Sequence, residues 1–192
     1  LKPTLSLIKS SKKILIANKE SIICGWNLIN ISAKKHKTKI IPVDSEHFSI
    51  YEILKHHKHE EIKKIYLTAS GGPFLNLESH KFSKIKPKDA LKHPRWKMGR
   101  KISIDSATLM NKILELVEAQ KLFNLEKSKL EIIIHPQSLV HAIIELKNGL
   151  TKFIYHDTSM IIPLSNAIFN KQINIYKNFK NKRNKSLGIQ NL

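Results

Sequence analysis

The fold is decided by the stretch KIIPVDSEH, residues 39–47, in which a short apolar run ends directly at two carboxylates. Residues 39–43 predict a buried strand, because brief apolar runs between polar residues are typical of parallel sheets. Residues 13–17, KILIA, form a second such run, and residues 21–30 between the two predict a helix with an apolar side. Strand, helix and strand in this order predict a parallel α/β layer.

Polar residues follow both strands, at the edge where such sheets gather functional groups. Asp44 and Glu46 are one residue apart and would point the same way on an extended backbone. Two facing carboxylates repel each other unless they share a cation or a proton. Oxygen ligands favour Mg²⁺ or Mn²⁺ over softer metals. Since most acidic pairs at strand ends are simply solvated, this pair alone leaves both interpretations open.

The segment after residue 104 predicts a helix that is capped by Asp105 or Ser106 and runs to about residue 124. Its expected apolar face, at helical spacing, consists of Leu109, Ile113, Leu116, Val117 and Phe123. Asn111 and Glu115 share one side of this helix and Lys112 borders it, so the three predict either part of a site or a surface Lys–Glu pair. The hydroxyls of Ser103, Ser106 and Thr108 crowd the expected helix start, where a phosphate would bind well.

The rest of the chain alternates between regular elements and one long irregular segment. We expect a helix near residues 50–58 and a strand at 64–68. Residues 71–100 contain three prolines and weak periodicity, which predicts a lid or binding loop in which His93 and Trp96 could close over a small anion. Strands are expected at 130–134, 140–146 and 151–155, the last two joined by a hairpin with an Asn-Gly turn. Residues 171–192, rich in Lys and Asn, predict a tail or linker.

The composition is strongly basic, with 34 Lys and Arg against 15 Asp and Glu and a formal charge of +19. Such an excess is typical of proteins with an anionic partner, whether nucleic acid, an acidic membrane surface or a phosphorylated substrate. The abundance of Lys, Asn and Ile throughout is equally typical of an AT-rich genome. Cys24 is the only cysteine, which excludes a disulfide within the chain, and we expect it to be buried. No stretch approaches the length of a membrane span.

Six motifs occur in an order that is more specific than any one of them. They are ANKES (17–21), PVDSEH (42–47), ASGGPF (69–74), HPRWKMGRKIS (93–103), DSATLMNK (105–112) and IHPQS (134–138). Together they closely resemble the 1-deoxy-D-xylulose 5-phosphate reductoisomerase family over residues 3–147. That family rearranges its substrate to a branched aldehyde phosphate and reduces it with NADPH to 2-C-methyl-D-erythritol 4-phosphate, in the non-mevalonate route to isoprenoids.

The resemblance implies a role for each matching position. The metal ligands would be Asp44, Glu46 and Glu115, and the catalytic residues Lys19, Glu46 and His93. The substrate would be bound by Ser45, Ser70, His93, Trp96, Ser106, Asn111, Lys112, Glu115 and Ser138, with its phosphate on Ser70, Ser106, Asn111 and Lys112. The cofactor would contact Asn18, Lys19, Glu20, Met98 and Gly99.

The resemblance also implies the setting of the site. The fold class would be α/β, with the end of a Rossmann-type parallel sheet in residues 1–43 and an α+β catalytic domain in 44–170 that carries the lid at 71–100. The cofactors would be NADPH and Mn²⁺ or Mg²⁺, with Co²⁺ also allowed. The partners would be a small phosphorylated sugar and a second subunit in a homodimer, with neither nucleic acid nor a membrane. The family occurs in bacterial cytoplasm and in plastid-type organelles such as the apicoplast.

Several positions depart from the family's pattern. The sequence has no G-x-G-x-x-G phosphate loop, and the family's C-terminal helical domain has no counterpart. We therefore expect the half of the Rossmann domain that binds the cofactor diphosphate, and with it most of the cofactor's binding surface, to lie outside this sequence. Leu75 and Ile161 stand where arginines are usual, and HDTSM at 156–160 replaces the usual GTPDM. Two alternatives stay open, a basic nucleic-acid-binding module and an inactive truncated copy of the enzyme.

Overall fold

The computed structural model describes residues 1–93, 96 and 98–169. The chain begins with a small parallel layer, in which β1 (Lys13–Ile16) pairs with β2 (Lys39–Pro42). The helix α2 (Lys19–His36) connects the two strands, and α1 (Lys2–Ile8) packs against α2. The side chain of Asn18 starts α2 by accepting the backbone N–H of Ser21 at 2.8 Å. The predicted strand–helix–strand layer is confirmed, and its helix is longer at both ends than expected.

The core of this layer is built from one side of α2. Ile29 and Ala33 are buried there against Ile8 of α1. Cys24 lies on the opposite side and is exposed, so the prediction that it is buried was wrong. The helical repeat explains this exposure, because the nearby residues Ser21, Ile22 and Gly25 occupy the buried side of α2 and Cys24 falls on the other side.

The helix α3 (Ser45–Leu54) follows β2 after two residues. Asp44 is its N-cap, and its side chain accepts the backbone N–H of Glu46 at 3.3 Å. The helix predicted for residues 50–58 therefore begins five residues too late. The extended backbone assumed for Asp44 and Glu46 was also wrong, because one carboxylate caps the helix and the other lies in its first turn.

A second, mixed sheet forms the main body, with the strand order β4-β3-β5-β6. Its strands are β3 (Ile62–Ala69), β4 (Leu130–Ile134), β5 (Val140–Leu146) and β6 (Thr151–Tyr155). The pair β3–β4 is parallel, whereas β3–β5 and β5–β6 are antiparallel. All four predicted strands are confirmed, and the hairpin between β5 and β6 turns at Gly149 with φ of 88°. Their apolar side chains, including Ile65, Leu67 and Ile144, form the largest core with residues from two helices, α3 and the helix of residues 110–123.

Four further helices complete the described chain, α4 (Pro87–Ala90), α5 (Arg100–Ala107), α6 (Met110–Phe123) and α7 (Ile161–Phe169). The single helix expected from residue 105 to 124 is in fact two, which meet at Leu109 with a left-handed φ of 59°. The expected lid also contains regular structure, a 3₁₀ turn at Ser79–Lys84 and α4. Its residues 94, 95 and 97, and the tail expected at 171–192, lie outside the described residues. Among the described helices, none has both the length and the apolar character to cross a membrane.

A parallel layer followed by a mixed sheet with covering helices is the α/β class that the sequence predicts. The boundary expected at residues 43 and 44 coincides with the junction between β2 and α3, where two of the candidate metal ligands lie. The division into a cofactor-binding part and a catalytic part remains a prediction.

Candidate metal and substrate site

Three carboxylates converge from two helices. Asp44 and Glu46 come from the start of α3, and Glu115 comes from the second turn of α6. One oxygen from each can be chosen so that all three lie within 4.8 Å of one another. Divalent cations form bonds of about 2.0–2.6 Å to oxygen, so two oxygens on opposite sides of one ion lie about 4–5 Å apart. The spacing and the hard oxygen donors both fit such an ion.

Two lysines balance part of this negative charge. The Nζ of Lys19, at the start of α2, lies 3.0 Å from Asp44 Oδ2 and donates to Asn111 Oδ1 at 3.1 Å. The Nζ of Lys112 lies 2.8 Å from Glu46 Oε1 and also contacts Glu115. Two ammonium groups thus lie among the three carboxylates, so both signs of charge surround the point where a cation would bind.

The helix α6 turns a charged side towards the interior. Its buried residues include Lys112, Glu115 and Glu118, spaced three apart, whereas Leu109 and Ile113 of the predicted apolar face are exposed. The predicted orientation was wrong for the first half of α6. Charged groups are buried only when they are paired. Lys112 pairs with Glu46 of α3 and with Glu115 of its own helix, and Glu115 Oε1 also lies 3.6 Å from Lys19 Nζ of α2.

The electrostatics of the carboxylates differ because their neighbours differ. Burial, followed by the nearby charge of Glu46, raises the pKa of Glu115 to about 7. Burial also acts to raise the pKa of Asp44, but Lys19 and the hydrogen bond from His47 hold that pKa well below its ordinary value. Burial opposes the charge on Lys112, yet Glu115 and Glu46 raise its pKa above the ordinary value. Of Asp44 and Glu115, Glu115 is therefore the candidate ligand whose charge depends more on a neighbouring cation.

A buried pair behind the carboxylates, His47 and Glu118, received no role from the sequence. The Nε2–H of His47 donates to the carbonyl oxygen of Glu115 at 2.9 Å, and its Nδ1 lies 3.4 Å from both Asp44 Oδ1 and Glu118 Oε2. Burial lowers the pKa of His47, but Asp44 and Glu118 outweigh it and raise the value to about 9. Burial raises the pKa of Glu118 to about 7. Their spacing, directly after Glu46 and three after Glu115, is the signal that could have revealed them.

The carboxylates open into a cavity of about 330 Å³. Of the predicted residues, those lining it are Lys19, Asp44, Ser45, Glu46, Ser70, His93, Trp96, Met98, Gly99, Ser106, Asn111, Lys112, Glu115 and Ser138. The predicted cofactor residues Asn18 and Glu20 are not part of this lining. Asn18 caps α2 and donates to Glu20 at 3.1 Å, and Glu20 pairs with Lys101 at 3.0 Å. One cavity thus gathers residues from motifs that lie more than 100 positions apart.

The hydroxyl groups expected to hold a phosphate come from different elements. Ser106 lies in the last turn of α5, not at a helix start, and Ser103 and Thr108 donate to carbonyl oxygens of the same segment at 3.1 Å. The expectation of a phosphate at this helix start was therefore wrong in its geometry. Ser70 follows β3, and its hydroxyl oxygen accepts the N–H of Gly72 at 3.2 Å.

The residues of the expected lid contact the far wall of the cavity. The backbone N–H of Trp96 donates to Nδ1 of His93 at 2.9 Å, and Nε2 of His93 lies 3.1 Å from the hydroxyl oxygen of Ser70. Burial lowers the pKa of His93, which favours the neutral ring. The Trp96 ring meets the edge of His141, whose ring also lines the cavity.

Fold and site together define a mixed α/β protein with a carboxylate- and lysine-lined cavity. Residues 40–123 match the family model described as the C-terminal domain of 1-deoxy-D-xylulose 5-phosphate reductoisomerase. The enzyme of that name from Pelagibacter ubique (strain HTCC1062) is 56% identical over all 192 residues, which are 48% of its own length. The enzyme from Clostridium botulinum (strain Okra / Type B1) is 46% identical over 168 residues, 88% of this chain and 44% of the relative.

Solved structures agree with these relatives. A crystal structure of DOX-P reductoisomerase in complex with NADPH, fosmidomycin and magnesium superposes with a TM-score of 0.83 at 40% identity, covering 91% of this chain and 45% of that one. The enzyme from Zymomonas mobilis in complex with NADPH gives 0.80 at 37% identity, covering 90% and 45%. The chain belongs to the 1-deoxy-D-xylulose 5-phosphate reductoisomerase family, as its motifs predict. It spans about half the length of the curated relatives it matches.

Proposed function

We propose that this chain carries the metal- and substrate-binding centre of an enzyme that converts 1-deoxy-D-xylulose 5-phosphate to 2-C-methyl-D-erythritol 4-phosphate with NADPH. The observation that carries the proposal is the meeting of Asp44, Glu46 and Glu115 in one cavity with Lys112. Relatives at up to 56% identity bear the enzyme's name, and solved neighbours hold NADPH and magnesium. Both support NADPH and a divalent cation as the cofactors, with Mg²⁺ favoured and Mn²⁺ or Co²⁺ as further ions of suitable chemistry.

The three carboxylates would hold the cation, and a cation held there polarises the ketone and hydroxyl oxygens of the substrate. Lys112 lines the same cavity as Ser106 and Ser138, so its ammonium group can bind the substrate phosphate together with their hydroxyls. Binding energy from the phosphate is remote from the reacting carbons and can be used to orient them. Trp96 and Met98 supply apolar cover that keeps water from the cavity.

Lys19 and His93 are the proposed proton-handling groups. Lys19 faces the carboxylates from the end of β1, and the charges of Asp44 and Glu115 outweigh its burial and raise its pKa above the ordinary value. A lysine that stays charged orients oxygen atoms and stabilises negative charge that develops on them. Burial keeps His93 neutral, and because its Nδ1 accepts the Trp96 N–H, its Nε2 carries the ring proton and can donate it to a substrate oxygen.

The proposed cofactor contacts and the proposed homodimer rest on the resemblance to the family. Asn18, Glu20, Met98 and Gly99 would contact the nicotinamide part of NADPH, with the rest of its binding surface outside this sequence. The intact enzyme would be a homodimer acting on a small phosphorylated sugar, and the bacterial relatives favour a bacterial source over a plastid. This chain alone would bind Mn²⁺ and turn the substrate over slowly or not at all. NADPH-dependent turnover at the rate of an intact family member would contradict that expectation.

The decisive binding experiment is phosphorus NMR of 1-deoxy-D-xylulose 5-phosphate with the Mn²⁺-loaded chain. We expect the paramagnetic ion to broaden the phosphate signal because the carboxylates and Lys112 share one cavity. Lys112→Met should retain Mn²⁺ and lose the broadening, whereas Lys92→Met, which removes an exposed lysine outside this cavity, should change neither. Equal broadening with Lys112→Met and with the unsubstituted chain would contradict the proposed phosphate contact.

A further inference from the structure

His156 ends the hairpin of the mixed sheet and turns its ring towards the cavity wall. Its backbone N–H donates to the carbonyl oxygen of Leu139 at 3.0 Å, which extends the pairing of β5 and β6 by one residue. Its ring stacks on that of His141, with 3.8 Å between the centroids and 20° between the planes. Both residues are buried, with 6% of His156 and 1% of His141 exposed.

His141 is held on three sides. Its Nε2–H donates to the carbonyl oxygen of His156 at 3.2 Å, and one face of its ring stacks on the ring of His156. On another side its ring meets Trp96 in an edge contact, at 6.1 Å between centroids and 66° between planes. A continuous row therefore runs from His156 through His141 to Trp96, and its last two members line the cavity.

The hydrogen bonds of the two ring nitrogens of His156 show which part of this side chain contacts His141. Its Nδ1–H donates to the carbonyl oxygen of the next residue, Asp157, at 2.8 Å. Its Nε2 is buried and has no hydrogen-bond partner among the residues that the structure describes. A buried nitrogen without a partner costs stability, so hydrogen bonding through that nitrogen is not what the ring contributes. What reaches another element is the flat face of the ring, which contacts His141.

We propose that His156 is a positioning residue that stacks on His141, fixes the plane of that imidazole in the cavity wall and thereby seats the ring of Trp96. The proposal rests on the proposed function only in treating the cavity as the substrate site. A flat apolar ring at position 156 should perform the same task.

The test follows the fluorescence of Trp96 without any substrate, metal or nucleotide, so its outcome is independent of the proposed function. The chain has two tryptophans, and Trp26→Phe leaves Trp96 as the only one. In that background we expect His156→Ala and His156→Gly to shift the Trp96 emission to longer wavelength and to increase quenching by acrylamide. His156→Phe should keep the emission of the parent, and His59→Ala, at an exposed position, should also leave it unchanged.

Circular dichroism and thermal unfolding identify any variant that loses the fold. If His156→Ala unfolds, the folded His156→Phe variant still decides the matter, because it retains the stack and lacks both ring nitrogens. Emission that stays unchanged in a folded His156→Ala variant would overturn the proposal. A red shift in His156→Phe as large as in His156→Gly would overturn it as well.

Discussion

The residues of the candidate site carry charges that could not persist alone. Glu115 is 1% exposed and Lys112 is 5% exposed, and each is tolerable in the interior only because an opposite charge lies beside it. Lys112 contacts Glu115 and Glu46, and Glu115 Oε1 also lies 3.6 Å from Lys19 Nζ. The six ordered motifs pointed to both positions. The local pattern did not, since a Lys and a Glu three apart on a helix are indistinguishable from a surface pair until their partners on α2 and α3 are known. The same limit explains why His47 and Glu118 received no role.

The buried His156 should make stability fall in mild acid. Burial, followed by the charge of His141, lowers its pKa from 6.5 to about 4. The unfolded chain therefore binds this proton more readily, so the stability due to the neutral ring is fully present above about pH 6.5 and is lost as the pH falls towards about 4. We expect His156 to account for roughly 2 kcal/mol of loss between neutral pH and about pH 5.

Urea unfolding of the parent and of His156→Phe at both pH values measures this contribution. The phenylalanine variant cannot bind the proton, so its stability should fall less in acid by about that amount. An identical fall in the two proteins would show that His156 does not titrate in the way its burial implies.

At the scale of elements, the strands were the most predictable feature and the helix boundaries the least. Runs such as LEIII at 130–134 predict a strand from their composition alone. The break between α5 and α6 lies at Leu109, which adopts a left-handed conformation that bulky residues rarely take, so no local signal marks it. The start of α3 was missed because an acidic residue such as Asp44 is typical both of the end of a strand and of a helix N-cap.

The loop after β3 approaches α5 so closely that only glycine fits at position 72. Gly72 has φ of 70°, and a Cβ there would lie 2.9 Å from the carbonyl oxygen of Ser106. We expect Gly72→Ala to push the loop and Ser106 apart, which lowers stability and weakens substrate-phosphate binding together.

Gly149→Ala is the matched control for this substitution. Gly149 has φ of 88°, and no atom in the described part of the chain lies within 4 Å of a Cβ added there, so its replacement measures the backbone cost alone, about 1–2 kcal/mol. Thermal unfolding and phosphorus NMR of both variants provide the comparison. If Gly72→Ala loses no more stability than Gly149→Ala and still binds phosphate, the proposed close packing of Gly72 against Ser106 is contradicted.

At the scale of the whole molecule, the candidate site joins the two layers of the chain. Lys19 comes from the parallel layer, the pair Asp44 and Glu46 from the junction, and Glu115 from the helix over the mixed sheet. The Nζ of Lys13 in β1 adds a second link, donating to the carbonyl oxygens of residues 167 and 168 at the end of α7. The order of the motifs predicts that these residues meet in one site, because the same motifs occur in the same order in the family that the chain resembles. The balance of charge inside the site depends on contacts up to 96 positions apart, between Lys19 and Glu115, which no local pattern contains.

We expect Asp44, Glu46 and Glu115 to bind one divalent cation together. Titration of the chain with Mn²⁺, followed by the electron paramagnetic resonance of the free ion, measures this binding. We expect one tight site in the parent, a loss of affinity of at least about tenfold in Glu115→Ala, and unchanged binding in Glu131→Gln, which alters an exposed carboxylate on β4. Equal Mn²⁺ affinity in the parent and in Glu115→Ala would contradict the account.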